Sequence, residues 1–219
     1  MKKVMLVTIA LLAGWSFGQD QETVAQGLKE ALKVGLKNAV TQVGIEDGYY
    51  GNDLIRIPIP DKMNKVVDFL DKIGAEKLTE SLVKRMNRAA ETAAPQALDI
   101  FHQALKDMKI TDAANILSGD DHAATEYLQA STSEILREKF GPIVRGEMEK
   151  IQAIKLYNEM IEKYQTNPFA SKIKLDISDY VTGKALDGLF TVVGEQEAKI
   201  RNDPKAQVTS LLRSIFGKN

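Results

Sequence analysis

The chain has no cysteine among its 219 residues. Disulfide staples, thiol nucleophiles, thiolate–zinc centres and haem attachment through cysteine are therefore excluded, and the core must hold by packing alone. Charge of one sign is also missing. The 29 basic and 30 acidic side chains leave a net of −1. No basic stripe marks a nucleic-acid binder, which needs cations for phosphates, and no polybasic run marks a membrane-surface tail. Histidine is scarce, with only His102 and His122. Long apolar runs are scarce too: VMLVTIALLAGW, residues 4–15, covers twelve positions, short of the roughly 20 needed to span a bilayer.

That short run instead has the shape of an export leader. MKK gives a positive start, the apolar core follows, and SFG offers small residues before a cut preceding Gln19. The reading is a cleaved signal peptide over 1–18 and a periplasmic or secreted protein of 201 residues, 19–219, with no transmembrane segment after cleavage. Losing Lys2 and Lys3 leaves 27 basic against 30 acidic side chains, a net of −3. The protein is not a lipoprotein, since position 15 after LLAG is Trp and no cysteine is available for lipidation.

Helical spacing dominates what remains. Glu22–Val43 places Val24, Leu28, Ala31, Leu32, Leu36, Ala39 and Val43 on one stripe, with Gly44 as its C-cap. GIEDGYYGNDLIRIPIP then carries three glycines and two prolines and no helical period, which predicts a long irregular loop with a short extended piece at Leu54–Ile57. Such a loop is either a lid or a strap burying Tyr49, Ile55 and Ile57 across the helices. Asp61 caps a helix ending at Gly74. A long helix over 75–108 presents Leu82, Met86, Ala90, Ala93, Ala97, Phe101, Ala104 and Met108, mostly small, so it reads as the central element. Pro95 should kink or divide it.

Thr111 or Asp112 opens a short helix that stops at Ser118–Gly119. Another helix spans 121–140, and Gly141–Pro142 breaks it before a helix over 142–164. QTNPFASKIKLDIS is a second loop. Ser178 caps a largely enclosed helix to Arg201, and Asp203–Pro204 opens a last amphipathic helix with Val208, Leu211, Leu212, Ile215 and Phe216 on its apolar face. The expectation is one all-α domain of roughly eight helices.

Three polar groups stand out. Asp120, Asp121 and His122 are consecutive, which suits a metal poorly because helical neighbours point about 100° apart. Metal pairs on helices want a spacing of three or four. Asp120 or Asp121 therefore reads as the N-cap of the following helix. Asn87 and Glu91 lie one turn apart beside a small-residue stripe, with Arg88 nearer the opposite face. They read as a buried clamp, held by Arg201 or by a backbone end, or as a ligand-contacting pair in a cleft. Glu197 and Arg201, four apart, read as an ordinary helix pair worth a few tenths of a kcal/mol. Thr182-Gly183-Lys184 is not a phosphate loop, since no glycine sits at the required earlier position and no strand precedes it. No Ser/His/Asp arrangement and no nucleotide fingerprint is present. No catalytic residue, metal ligand or cofactor is assigned.

QGLKEALKVGLKNAV, IRIPIP, MNRAAETAAPQA, ITDAANILSGDDHAATEYL, YVTGKALDGLF and IRNDPKAQVTSLLRSIFG, in this order, resemble the bacterial domain-of-unknown-function family 4197. The resemblance covers nearly all of the chain after the leader. It implies an exported bacterial protein and no activity. Many of its members carry a lipoprotein cysteine, where this chain has Trp15. Its motif positions fall on Asn87, Arg88, Glu91, Asp120, Asp121, Thr125, Asp187 and Arg201. The leading expectation is a non-catalytic periplasmic binding or interaction protein, one version holding an apolar ligand under the two loops. The alternatives are a hydrolase using Glu91 with Asp120 or Asp121, with or without a divalent ion, and an envelope scaffold. The partner, whether an apolar small molecule or an envelope protein, is not identified by the sequence.

Overall fold

The structure is a computed structural model that describes residues 13–207 and 213, with side chains from residue 21 onward. Its described residues form eight α-helices and no strand: α1 (Ala13–Val43), α2 (Asn64–Lys72), α3 (Glu76–Ala93), α4 (Ala97–Asp107), α5 (Ile110–Ser118), α6 (Ala123–Lys150), α7 (Ala153–Gln165) and α8 (Ile177–Asn202). Short 3-10 turns precede α2 and join α3 to α4. The fold is a single all-α domain. No helix among the described residues is long and apolar enough to cross a membrane.

α8 runs through the middle, packed against α6, α1, α3 and α7. It holds this place because its apolar residues surround it, with Val181, Ala185, Leu186, Leu189, Phe190, Val192 and Val193 all buried. The long helix expected as the centre is instead divided at Pro95, where residues 94–96 tighten into a 3-10 turn. Its two halves flank α6, with α3 also touching α7 and α8, and α4 touching α1. Phe101 of α4 meets Phe190 of α8 edge to face, ring centres 5.7 Å apart.

α1 buries Leu28, Ala31, Leu32, Leu36, Ala39 and Val43 as its spacing predicts, although Ala25 takes the inward place assigned to Val24, which is exposed. Residues 13–18 of the expected leader are helical and continuous with α1, and the rest of the leader lies outside the described residues. So does the apolar face of the expected last helix, Val208 to Phe216. Of its start, Asp203 closes a turn through Lys205 and Ala206.

Three helix boundaries correct the sequence reading. Pro142 does not break the chain, and α6 continues through it to Lys150. Proline removes one donor, to the carbonyl of Glu138, and both residues are exposed, so water can satisfy that oxygen. The turn comes at Gln152, which takes a left-handed φ of 58°. There Arg85 of α3 donates to the carbonyls of Ile151 at 2.8 Å and Gln152 at 3.1 Å. A cation thus meets the negative end of α6. α8 is capped by Asp176, not Ser178: its Oδ1 accepts the N–H of Ser178 and of Asp179. At the end of α2, Gly74 does adopt the left-handed conformation, φ 73°, that its closing role requires.

Candidate functional site

The loop over 44–60 is a strap, not a lid. Tyr49 and Ile57 are fully buried and Ile55 nearly so. They fill the space a lid would have to cover. The closest approach is to α8: a Cβ placed on Gly188 would stand 2.8 Å from Tyr49 Cε1 and 3.0 Å from Ile55 Cβ. Beyond this contact, the Tyr49 hydroxyl donates to the carbonyl of Ala185 at 2.7 Å. Burial, and after it the charge of Glu91, push this phenol far above its ordinary pKa.

Two side chains one turn apart on α3 hold the strap's backbone. Asn87 behaves as a peptide edge: Oδ1 accepts the N–H of Ile57 at 2.8 Å, and Nδ2 donates to the Ile57 carbonyl at 2.9 Å. Nδ2 also donates to the Val83 carbonyl at 2.8 Å. The extended piece expected near Ile57 thus pairs with a side chain in place of a strand. Glu91 Oε1 accepts the N–H groups of Tyr49 at 3.1 Å and Tyr50 at 3.0 Å. Its Oε2 accepts from Arg88 Nη1 at 2.6 Å.

Arg88 does not face away. Its Nη2 reaches Asp47 Oδ1 at 2.8 Å and Glu46 Oε1 at 3.0 Å, tying the start of the strap to α3. Burial opposes the guanidinium charge, but its bonds to Glu91 and Asp47 outweigh this and hold its pKa above the usual value. Arg88, not Arg201, is therefore the cation that partners Glu91.

A second buried carboxylate, Glu197 of α8, closes the start of α6. Oε1 accepts the N–H of Ala124 at 2.9 Å, and Oε2 accepts both the N–H and the hydroxyl of Thr125 at 2.7 Å. Arg201 braces it from one turn on, with Nε to Oε1 at 3.0 Å and Nη2 to the Ile116 carbonyl at 2.8 Å. Glu197 is 5 % exposed and the Arg201 side chain 9 %, so this is no ordinary surface pair.

The cap expected from Asp120 or Asp121 is supplied from 72 residues away. Asp120 makes only a local turn, accepting the His122 N–H at 2.9 Å, and Asp120, Asp121 and His122 are all exposed. Asp187, also exposed, faces Lys184 at 3.5 Å.

The seven candidate residues thus separate into two groups. Asn87, Arg88 and Glu91 meet the strap. Thr125 and Arg201 meet Glu197, with Asp120 and Asp121 outside on the approach to α6. The strap touches α8 at Ala185 and Gly188, the nearer of them nine residues before Glu197, or about 14 Å along the helix axis. Among the described residues no group of three His, Asp or Glu is gathered in a way that could hold a metal. Sequence reasoning found Tyr49 as a buried strap residue but missed its hydroxyl bond to Ala185, and it missed Arg85 and the capping role of Glu197. The isolated glycines 188 and 194 in an apolar helix were the available signal of close approach; a Cβ on Gly194 would stand 3.1 Å from His122 Nδ1.

A family described as Protein of unknown function (DUF4197) matches residues 18–217. The chain belongs to this family. No curated protein and no solved structure matches it. In this DUF4197 member Asn87, Arg88 and Glu91 hold a strap and Thr125 and Arg201 meet at a helix end, while Asp120, Asp121 and Asp187 stand exposed. An open groove of about 350 Å³ separates α4 from α6, lined by Asp99, Gln103, Asp107, Ile135 and Lys139 among others.

Proposed function

We propose that this DUF4197 protein is an exported helical interaction protein that works through its surface and performs no chemistry of its own. One observation carries the reading. Both buried carboxylates, Glu91 and Glu197, are occupied at each oxygen by donors of the same chain. A general base needs a lone pair directed at substrate, whereas Glu91 is 3 % exposed beneath its strap. Asp120 and Asp121, its imagined partners in a hydrolase, stand in solvent before α6. The apolar-ligand version loses its gate, because Tyr49, Ile55 and Ile57 occupy that space themselves. Export is supported by the leader pattern of 1–18 and by a family match that starts beside the expected cut.

Two measurements test this. Osmotic-shock fractionation followed by N-terminal sequencing should find the protein outside the cytoplasm, beginning at Gln19; an uncut chain retained in the cytoplasm overturns export. Glu91→Gln turns an acceptor into an amide facing Arg88 and should cost about 2–4 kcal/mol of stability. A variant with an unchanged unfolding midpoint that has lost an ester- or phosphoester-hydrolysing activity of the wild type would restore the enzyme reading.

A further inference from the structure

Four lysines from opposite halves of the chain converge on one cleft. Lys62 lies in the 3-10 turn before α2 and Lys65 three residues on in the first turn of α2, and Lys172 and Lys174 lie two apart in the segment joining α7 to α8. With Asp61, Asn64, Ser171 and Ile173 they line an open hollow of about 380 Å³. Asp61 is the one carboxylate in the lining, so the wall carries a net of +3 in a chain of net −1. None of the four lysines forms a salt bridge among the described residues. Like charges lining one hollow repel one another, which a bound anion would relieve.

The cleft is built on a braced frame. Met63 and Val66, between and beside the first two lysines, are fully buried. Tyr164 of α7 packs edge to face on Phe69 of α2, with ring centres 5.9 Å apart. Its hydroxyl accepts the Ser171 N–H at 3.1 Å. Two residues earlier, Phe169 is 92 % exposed. It is displayed on a closed turn: the Phe169 N–H donates to Asn167 Oδ1 at 3.0 Å and the Ala170 N–H to the Asn167 carbonyl at 2.9 Å.

We propose that this cleft binds the phosphate groups of anionic lipid headgroups, with Phe169 seated in the interfacial layer of the bilayer. Lysine ammonium groups suit phosphate as mobile point charges. A soluble phosphate would gain nothing from a bare ring beside the site, and an anionic bilayer offers the charge and an apolar layer together. The absence of any polybasic run in the sequence does not bear on this, because the fold assembles the patch from residues about 110 positions apart. The inference is independent of export, since purified vesicles test it directly.

The test is flotation of the mature chain with phosphatidylcholine vesicles, with and without phosphatidylglycerol. Binding is expected only to the anionic vesicles and should weaken as salt is raised. Lys65→Gln with Lys174→Gln should lower affinity about 25-fold, at about fivefold per lysine. Phe169→Ser should weaken vesicle binding further. All three positions are exposed, and an unchanged circular dichroism spectrum confirms that the variants fold. Equal binding to neutral vesicles, or anionic binding untouched by the lysine pair, overturns the proposal. So does saturable binding of inorganic phosphate at the cleft without any vesicle binding, which would make this a free-phosphate site.

Discussion

Thr125 gives both its backbone N–H and its hydroxyl to a single oxygen of Glu197, each at 2.7 Å. Together with the Ala124 amide, this places a carboxylate where the first amides of α6 are otherwise unsatisfied and the helix dipole is positive. A local cap would do the same with one side chain, but this one also ties α6 to α8.

Glu197→Gln keeps one good acceptor and turns an amide NH2 toward the remaining donors. It leaves buried N–H groups and Arg201 without a matched partner. Stability should fall by about 3 kcal/mol. Urea unfolding should show a lower midpoint at an unchanged slope. Asp120→Asn and Asp121→Asn, exposed and outside the cap, should each stay within about 0.5 kcal/mol of wild type.

Gly188 and Gly146 make a matched pair, since both lie inside helices and neither has a positive φ. Alanine at 188 would drive its Cβ into Tyr49 and Ile55. It should cost about 1–3 kcal/mol by overpacking and expose the strap to proteolysis. Alanine at 146 meets nothing within 4 Å and should stabilise by about 0.5–1 kcal/mol through better helix propensity. Thermal melts of the two variants should move in opposite directions.

Asp176 supplies the pH dependence. The Asp179 N–H is the main reason its pKa lies below the ordinary 3.8, helped by Arg145 and the Ser178 N–H against some desolvation. A carboxylate whose native pKa is depressed contributes stability above its unfolded value, and this contribution is lost as pH falls through the lower native value. Asp176→Ala should therefore cost about 1 kcal/mol at neutral pH, and the gap to wild type should narrow below pH 3.8. Unfolding midpoints measured from pH 7 down to pH 2 check this. A gap that stays constant across that range would show that charge is not the cause.

The helices were legible where periodicity alone decides burial. Leu28, Leu36 and Val43 on α1, and Val181, Ala185, Leu189 and Val192 on α8, are inward as their spacing requires. Asn87 and Glu91 were legible as polar residues in need of partners, but which partners was not. The donors belong to the strap, 30 to 42 residues earlier, and nothing local encodes that pairing. Glu197 shows the limit most clearly. Beside Arg201 it matches a common surface pattern, and its role depends on a helix start lying across from it. Asp120 failed in the opposite way: a good local capping sequence lost to a remote carboxylate with better access to the amides. Pro142 and Gln152 exchanged their expected parts because water forgives a missing donor at an exposed position, while Arg85 secures a turn that carries no glycine.

The two ends of α6 are fastened by residues that come before and after it in the chain, Arg85 and Glu197. A nascent polypeptide that has been synthesised through residue 150 possesses the whole of this helix but only one of its anchors. Completion must wait for Glu197, 47 residues further on, and contacts of such long sequence separation form late and slowly. α6 therefore remains incompletely locked until Glu197 has been made, and any truncation upstream of Glu197 leaves this 28-residue helix open at its leading edge.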